Sequence, residues 1–573
     1  SSLLTKGLSV HGSIAYDSYY YSRKKYSKTF PYYLARRDAE DPDYIYLIPQ
    51  SEESIWSVST GWDKNRKVYM EFGIDYNRTF RLHKTTALIL YNQSKYYSPS
   101  LQYYVPNAYQ GLVGRLTYEY ASRYLAEFNM GYNGTENFAK GKRFGFFPAV
   151  SLGWVISEEK FFPKNNIVKY LKVRGSYGEV GNDQIGGDRF LYLPSSYGAA
   201  SDSGVNKYNF GLASNPYTSL MIVENKIGNP DLTWEKAKKM NVGVDINLFN
   251  NCLTASFDIF KEKRNNILAN RSTSPMIIGA NLPAYNFGEM ENRGWEMDLN
   301  FRHHIQDFHY WARFNYSFAR NEIIYMDEVQ KRYDYQMTTG RRKNQFFGLI
   351  FDGYYNSWEE INALDRPKSS WSGNQLQPGD VKYVDVNQDG VIDDYDMVPI
   401  GYTPVPEIIY GFSFGAQYKG FDFSILFQGA DNVSIKYFGR SMWPFAKGEE
   451  SAKSLIKERW TQERYEAGEK ITFPRLSLNP NGETDHNYRP STLWIRDASY
   501  LRLKNLEVGY TFTGGFVKRL NLNSVRLYFN GSNLFTWTDV VDLDPEAPSR
   551  SGNVEINTYP LQKVYNIGLN INF

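Results

Sequence analysis

Residues 564–573 read V-Y-N-I-G-L-N-I-N-F, and their strict two-residue period limits what this chain can fold into. Tyr565, Ile567, Leu569, Ile571 and Phe573 fall on one face of a strand, and Asn566, Gly568, Asn570 and Asn572 fall on the other. In a soluble sandwich such a strand turns its apolar face to a core. In an outer-membrane barrel the same face meets lipid and the polar face lines an aqueous lumen. The choice rests on how often the pattern recurs and on what separates the copies.

The pattern recurs along the whole chain. Leu8, Val10, Ile14 and Tyr16 alternate with polar residues, as do Val68, Met70, Phe72, Ile74 and Tyr76. The same period predicts strands near 85–92, 112–120, 124–133, 148–156, 170–178, 242–249, 253–260, 295–301, 310–319, 408–418, 421–428, 506–512 and 525–534. With the terminal strand this gives about sixteen. Their connections alternate in length. Short ones fall at 81–84, 121–123, 250–251, 302–309 and 419–420, and long ones at 93–111, 179–241, 261–294, 320–407, 429–505 and 535–563. Tight turns at one rim and large loops at the other mark an all-β, antiparallel up-and-down transmembrane barrel. With the C-terminus on the periplasmic side, the short turns lie in the periplasm and the long loops outside the cell. An even number of strands is then expected upstream of Ser1.

Composition agrees with this class. Aromatic residues make up 17% of the 573, including 48 Tyr, yet mean hydropathy is −0.54. That pairing suits a barrel with aromatic girdles and a polar interior. No apolar run approaches the roughly 20 residues of a membrane helix. A net charge of +3 gives no support to nucleic-acid binding. The single Cys252 excludes an intramolecular disulfide and reads as a small hydrophobe beside a turn.

Two long loops carry further signals. The 429–505 loop holds Trp443, Phe445, Trp460, Tyr488 and Trp494, rings able to stack on sugars, grip peptide side chains or pack a core of the loop's own. The 320–407 loop contains D-V-N-Q-D-G-V-I-D-D-Y-D at 385–396. Asp385, Asn387 and Asp389 stand at loop positions one, three and five, the Val391 carbonyl at seven, Asp393 at nine and Asp396 at twelve, with Gly390 at the sharp turn. Hard calcium takes six to eight oxygens, and this spacing curls oxygens around one point. Asp in place of Glu at twelve, without flanking amphipathic helices, predicts a structural calcium ion that pins the loop, not a sensor. No nucleophile–base pair, P-loop, dinucleotide fingerprint or metalloprotease helix occurs, so no enzyme is expected. His303, His304 and His309 read as rim residues near a short turn.

Several stretches taken together resemble the SusC-like TonB-dependent transporters of the Bacteroidota outer membrane. They are F-G-F-F-P-A-V-S-L-G-W-V-I-S-E-E-K-F-F (144–162), L-K-V-R-G-S-Y-G-E-V-G-N (171–182) and N-P-D-L-T-W-E-K-A-K-K-M-N-V-G-V-D (229–245), followed by N-R-G-W-E-M-D-L (292–299) and the 385–396 loop. Y-L-R-L-K-N-L-E-V-G-Y-T-F (500–512), N-L-F-T-W-T (533–538), D-P-E (544–546) and the closing strand complete the set. The resemblance implies a barrel of about 22 strands around a plug, of which 1–573 is the C-terminal barrel portion without plug or TonB box. It further implies energy from the TonB complex, a SusD-like surface lipoprotein as lid, and dimers of transporter–lid pairs. The substrate class would be an oligosaccharide or an oligopeptide, and outer-membrane lipid would surround the wall. Two other readings fit the pattern of strands: a passive porin or structural outer-membrane barrel, and a secreted soluble β-rich carbohydrate-binding protein or glycoside hydrolase.

Overall fold

In the computed structural model, sixteen strands form one continuous sheet in which every strand pairs antiparallel with its neighbour in the chain. The structure describes residues 5–573 except 38–40, 42, 44, 102–103, 185–188, 195–197, 200–206, 213–216, 221, 224–226, 274–281, 372–375, 438–442, 446–453, 478–484, 542, 547–552 and 555–560. The strands are β1 (Leu8–Ser27), β2 (Ser57–Phe80), β3 (His83–Tyr97), β4 (Asn107–Tyr120), β5 (Tyr124–Thr135), β6 (Phe144–Val155), β7 (Val168–Asn182) and β8 (Glu235–Leu248). The second half is β9 (Leu253–Ala269), β10 (Tyr285–Ile305), β11 (Phe308–Tyr325), β12 (Ile408–Tyr418), β13 (Phe421–Asp431), β14 (Tyr500–Phe512), β15 (Ser524–Thr538) and β16 (Val564–Asn572). Each predicted strand lies within or against one of these. Among the described residues β1 pairs only with β2, and β16 only with β15, so the sheet has two open edges.

Several connections are shorter than the sequence suggests because the strands run on past their alternating cores. The 93–111 connection contracts to 98–106 and the 302–309 connection to 306–307. The loop expected from 320 begins at 326, and the loop expected at 429–505 spans 432–499. The β1–β2 pairing also runs on: it continues to Ser27 opposite Ser57, whereas β2 meets β3 only from Arg66 downward. The upper part of this pair is therefore a two-stranded ribbon, tipped by a small hairpin of Tyr33–Arg37 with Ile45–Pro49.

The two faces of the sheet differ as the alternation requires. Leu116, Phe128, Val150, Tyr177 and Met240 follow one another across β4 to β8 as directly paired residues, and each is 44–51% exposed. A row of large apolar side chains left half-exposed is what a lipid-facing wall presents. Ile567, Phe529, Val508 and Phe423 continue that face through β16 to β13. The opposite face carries hydroxyls, amides and ion pairs. Among the described residues no helix is long and apolar enough to cross a membrane, which says nothing against strands doing so.

Candidate functional site

The polar face owes its order to arginines that reach across whole strands. Arg174 on β7 donates both terminal nitrogens to Asp258 on β9 at 2.6 Å, and its Nε to Asp245 on β8 at 3.1 Å. Arg526 on β15 reaches past β14 to Asp422 on β13 and also donates to Glu507 at 2.5 Å. Strands stand about 4.8 Å apart, so side chains two strands apart meet most readily where they converge, on the concave side. Glycine opens each path. A Cβ at Gly243 would lie 2.7 Å from the Arg174 guanidinium, and one at Gly509 2.7 Å from both Arg526 and Asp422. Asn241, Asp245 and Asn247 share this inner face with Asn566, Asn570 and Asn572, which pair with Asn530, Arg526 and Ser524. Against it lies a cavity of about 520 Å³ lined by Thr86, Thr117, Glu127, Ser151, Arg174 and Asn241 among others.

Above this wall three long connections, 326–407, 432–499 and 539–563, fold into one cap. Leu349, Val381 and Ile392 from the first pack with Trp443, Phe473 and Trp494 from the second and Val540 from the third. A three-stranded sheet joins Ser434–Tyr437, Ile495–Asp497 and Asn553–Val554 across the second and third connections. Buried polar groups are paired where the loops meet. Asp380 accepts from the Asn487 side-chain amide at 2.8 Å and contacts Arg475 at 2.6 Å, and Asn487 Oδ1 accepts the Val381 N–H at 2.9 Å.

Two clusters tie the cap to the sheet. Arg502 at the top of β14 binds Asp544 at 2.6 Å and also Glu546. Burial works against the Asp544 carboxylate, but Arg502 and the N–H groups of Glu546 and Leu561 outweigh it and hold its pKa below the usual value. Glu407, just before β12, receives Arg320 at 2.7 Å and Arg342 at 2.5 Å. Sequence reasoning missed Arg174, Arg526, Arg502 and Glu407 as a set. Their partners lie 19 to 104 residues away along the chain, and only the arginines themselves, most of them standing on polar faces of strands, gave a signal.

The 385–396 loop folds onto its own amides. Asp385 Oδ2 accepts the Gly390 N–H at 2.8 Å, and Asn387 and Asp389 bond to each other and to the next turn. Asp393 caps a short helical turn through the Tyr395 N–H at 2.7 Å. Asp396 is fully buried, its Oδ1 accepting from Val386 and its Oδ2 from Asp393 at 2.9 Å. Burial, with the nearby Asp385 charge, raises its pKa. Gly390 has φ +80°, the sharp turn expected there. Asp385 Oδ1 is buried without a hydrogen-bond partner, although among the described residues no three His, Cys, Asp or Glu side chains gather as a metal cluster. The donors fit a calcium loop in order and turn, while Asp396 presents its lone pairs to backbone.

The loop aromatics divide. Trp443, Trp460, Tyr488 and Trp494 are buried inside the cap core, with Tyr488 and Trp494 rings 5.3 Å apart, and Phe445 is partly exposed at a left-handed turn. In this conformation the four buried rings hold the cap together and offer no open face to a ligand. His304 and His309 stack beside the 306–307 turn, and Cys252 Sγ lies 3.4 Å from His303, so these residues sit at the lower rim as expected.

Residues 4–534 match the family described as TonB dependent receptor-like, β-barrel. The chain is 28% identical to TonB-dependent receptor P3 of Formosa agariphila, over 80% of this chain and 45% of that protein. It is also 28% identical to TonB-dependent receptor SusC of Bacteroides thetaiotaomicron, over 82% of this chain and 44% of that protein. The chain thus spans less than half the length of these relatives. Among solved structures, the RagAB peptide transporter superposes over 99% of this chain and 60% of its own, with a TM-score of 0.73 at 20% identity.

Proposed function

Because the chain belongs to the TonB dependent receptor-like β-barrel family of the bacterial outer membrane, we propose that it forms the wall and cap of an active importer. The cargo is an oligomeric nutrient, glycan or peptide, and the TonB complex supplies the energy. What supports this above all is one continuous sheet with a lipid face, an ion-paired inner wall and a cap folded from three loops. No bond chemistry is involved. Hydroxyl and amide groups of the inner wall exchange hydrogen bonds with a hydrated solute at modest net cost. The arginines of the wall are paired with carboxylates, as Arg174 is with Asp245 and Asp258, which reduces the charge a passing solute meets. A SusD-like surface lipoprotein would close over the cap, and two such pairs would associate. The test is uptake of labelled oligosaccharides and oligopeptides by cells carrying the intact gene, with and without TonB. Import of one class that stops without TonB is expected; import indifferent to TonB would favour a passive porin.

For the 385–396 loop we propose a structural calcium ion held by Asp385, Asn387, Asp389, the Val391 carbonyl, Asp393 and Asp396. The partnerless Asp385 Oδ1 and the raised pKa of Asp396 support it, since a divalent cation would relieve both. Calcium should raise the unfolding temperature of the purified protein and Asp385→Ala should abolish that rise. No calcium dependence at millimolar concentration would end this assignment.

A further inference from the structure

A cavity of about 470 Å³ opens on the outer, lipid-facing side of β2 to β6. Its floor is apolar and aromatic, with Val68, Met70, Tyr97 and Phe144. Its polar groups are Gln93, Gln110, Lys95 and Arg143, with Glu136 at the back. Val68, Met70, Gln93, Lys95 and Gln110 belong to the outer face by register: Val68 pairs with Lys95, Met70 with Gln93, Gln93 with Gln110, and Gln110 with Gly134, while Glu136 and Arg143 flank the ends of β5 and β6 beside them. Arg66 lies at the rim, its guanidinium 4.5 Å from the Tyr97 ring centre, while Lys95 approaches the same ring at 5.9 Å.

The charges do not cancel. Glu136 is engaged by Arg189 at 2.7 Å and by the Ala108 N–H at 2.8 Å. Among the described residues, Arg66, Lys95 and Arg143 have no carboxylate partner and all three are exposed, Arg143 being steadied through its Nε by the Phe138 carbonyl at 3.1 Å. Elsewhere on this protein, cations near carboxylates pair with them, as Lys239 does with Glu262 and Arg313 with Asp298. Unpaired cations on a membrane-facing wall are costly unless the membrane supplies the anion.

The height of the cavity indicates which part of the membrane meets it. Met70 lies ten residues above Phe80, the lower end of β2. At about 3.3 Å per residue and a tilt near 40° this is a rise of about 25 Å, the height of a barrel's apolar band. Below the cavity, Phe72, Tyr91, Leu112, Tyr132 and Phe146 pair in one exposed row across the same strands. Apolar wall therefore lies beneath, and cations and amides stand at the headgroup level of the outer leaflet.

The geometry points to a binding site for a phosphorylated glycolipid of the outer leaflet. Arg66, Lys95 and Arg143 hold its phosphate, Gln93 and Gln110 meet its sugar hydroxyls, and its acyl chains lie along the Phe72–Phe146 row. The site rests only on outer-membrane placement and is independent of what the barrel transports.

Native mass spectrometry of the intact protein in detergent tests it, with four probes: a phosphorylated lipid A, the same lipid enzymatically dephosphorylated, phosphatidylethanolamine and inorganic phosphate. The phosphorylated glycolipid should bind at least tenfold more tightly than its dephosphorylated form or phosphatidylethanolamine, and millimolar phosphate should not displace it. An Arg66→Gln/Lys95→Gln double variant should lose that preference, while Lys419→Gln at a periplasmic turn should keep it. Equal binding of the phosphorylated and dephosphorylated lipids to the unaltered protein would overturn the proposal, as would full retention by the double variant. The lipid comparison needs no variant, so a folding failure of the double variant leaves the test decisive.

Discussion

Arg502 is buried at the top of β14, and its fork is filled by Asp544 and Glu546 from a connection 42 residues further along. Removing one partner of such a cluster strands the others as buried charge, at a cost of about 3–5 kcal/mol. Arg502→Ala should therefore release residues 540–546, seen as faster amide exchange there while the barrel strands stay protected. Arg502→Lys should recover little of this, because an ammonium cannot fill both carboxylates at once. His486 carries a second prediction. Its Nε2 lies 2.8 Å from the Val381 carbonyl, which only an N–H satisfies, and its Nδ1 3.0 Å from the Ser369 hydroxyl. Burial lowers its pKa below 6.5, with Asp380 and Asp485 opposing and Arg489 assisting. Between the lowered value and 6.5 the unfolded chain binds the extra proton and the folded one does not. This share of cap stability is therefore complete above about pH 6.5 and declines as pH falls through that interval. Exchange at 381–383 and 486–494 should quicken on acidification, and His486→Gln should flatten the dependence.

β16 tests the two faces at the scale of an element. Ile567 lies five residues above Asn572, about 13 Å up a tilted strand and so close to the middle of the apolar band. Ile567→Arg should cost about 2–4 kcal/mol there, read as lost heat-modifiable barrel in outer membranes. Asn566→Arg, one residue away on the inner face, should be tolerated. The strand cores were visible in the sequence wherever one face meets lipid and the other water, since the contrast then repeats every second residue. It fades where both faces meet water. In β1 the run Y-Y-Y-S-R-K-K-Y-S at 19–27 shows no alternation, and the structure continues the strand through it as an exposed ribbon. The resemblance motifs acquire physical content at this scale as well. Trp234 of N-P-D-L-T-W packs edge-on to Phe147 of F-G-F-F-P at 5.2 Å, and Arg502 of Y-L-R-L binds the carboxylates of D-P-E.

The cap behaves as one unit of the whole molecule, because its core draws side chains from three connections that the sequence presents as separate loops. Replacing 440–490 by a flexible linker removes Trp443, Trp460, Phe473 and Tyr488. It should therefore expose 349–396 to protease as well, although that segment is untouched. If 349–396 kept its protection, the loops would be independent. The candidate site was legible only in part for the same reason. The aromatic richness of 429–505 marked a folded cap, but aromatic composition does not tell a ring that lines a core from one that faces a ligand.

The sequence by itself determined the strand count, the up-and-down order, the faces of the alternating strand cores and the side on which the long loops gather. These follow from period and spacing, which are local properties. Only the tertiary structure decided that Arg174 and Arg526 bridge three strands, that three loops share one core, and that unpaired cations meet around a cavity on the lipid face. Each depends on which distant residues the sheet register and curvature bring within a few ångströms, and no local pattern encodes that.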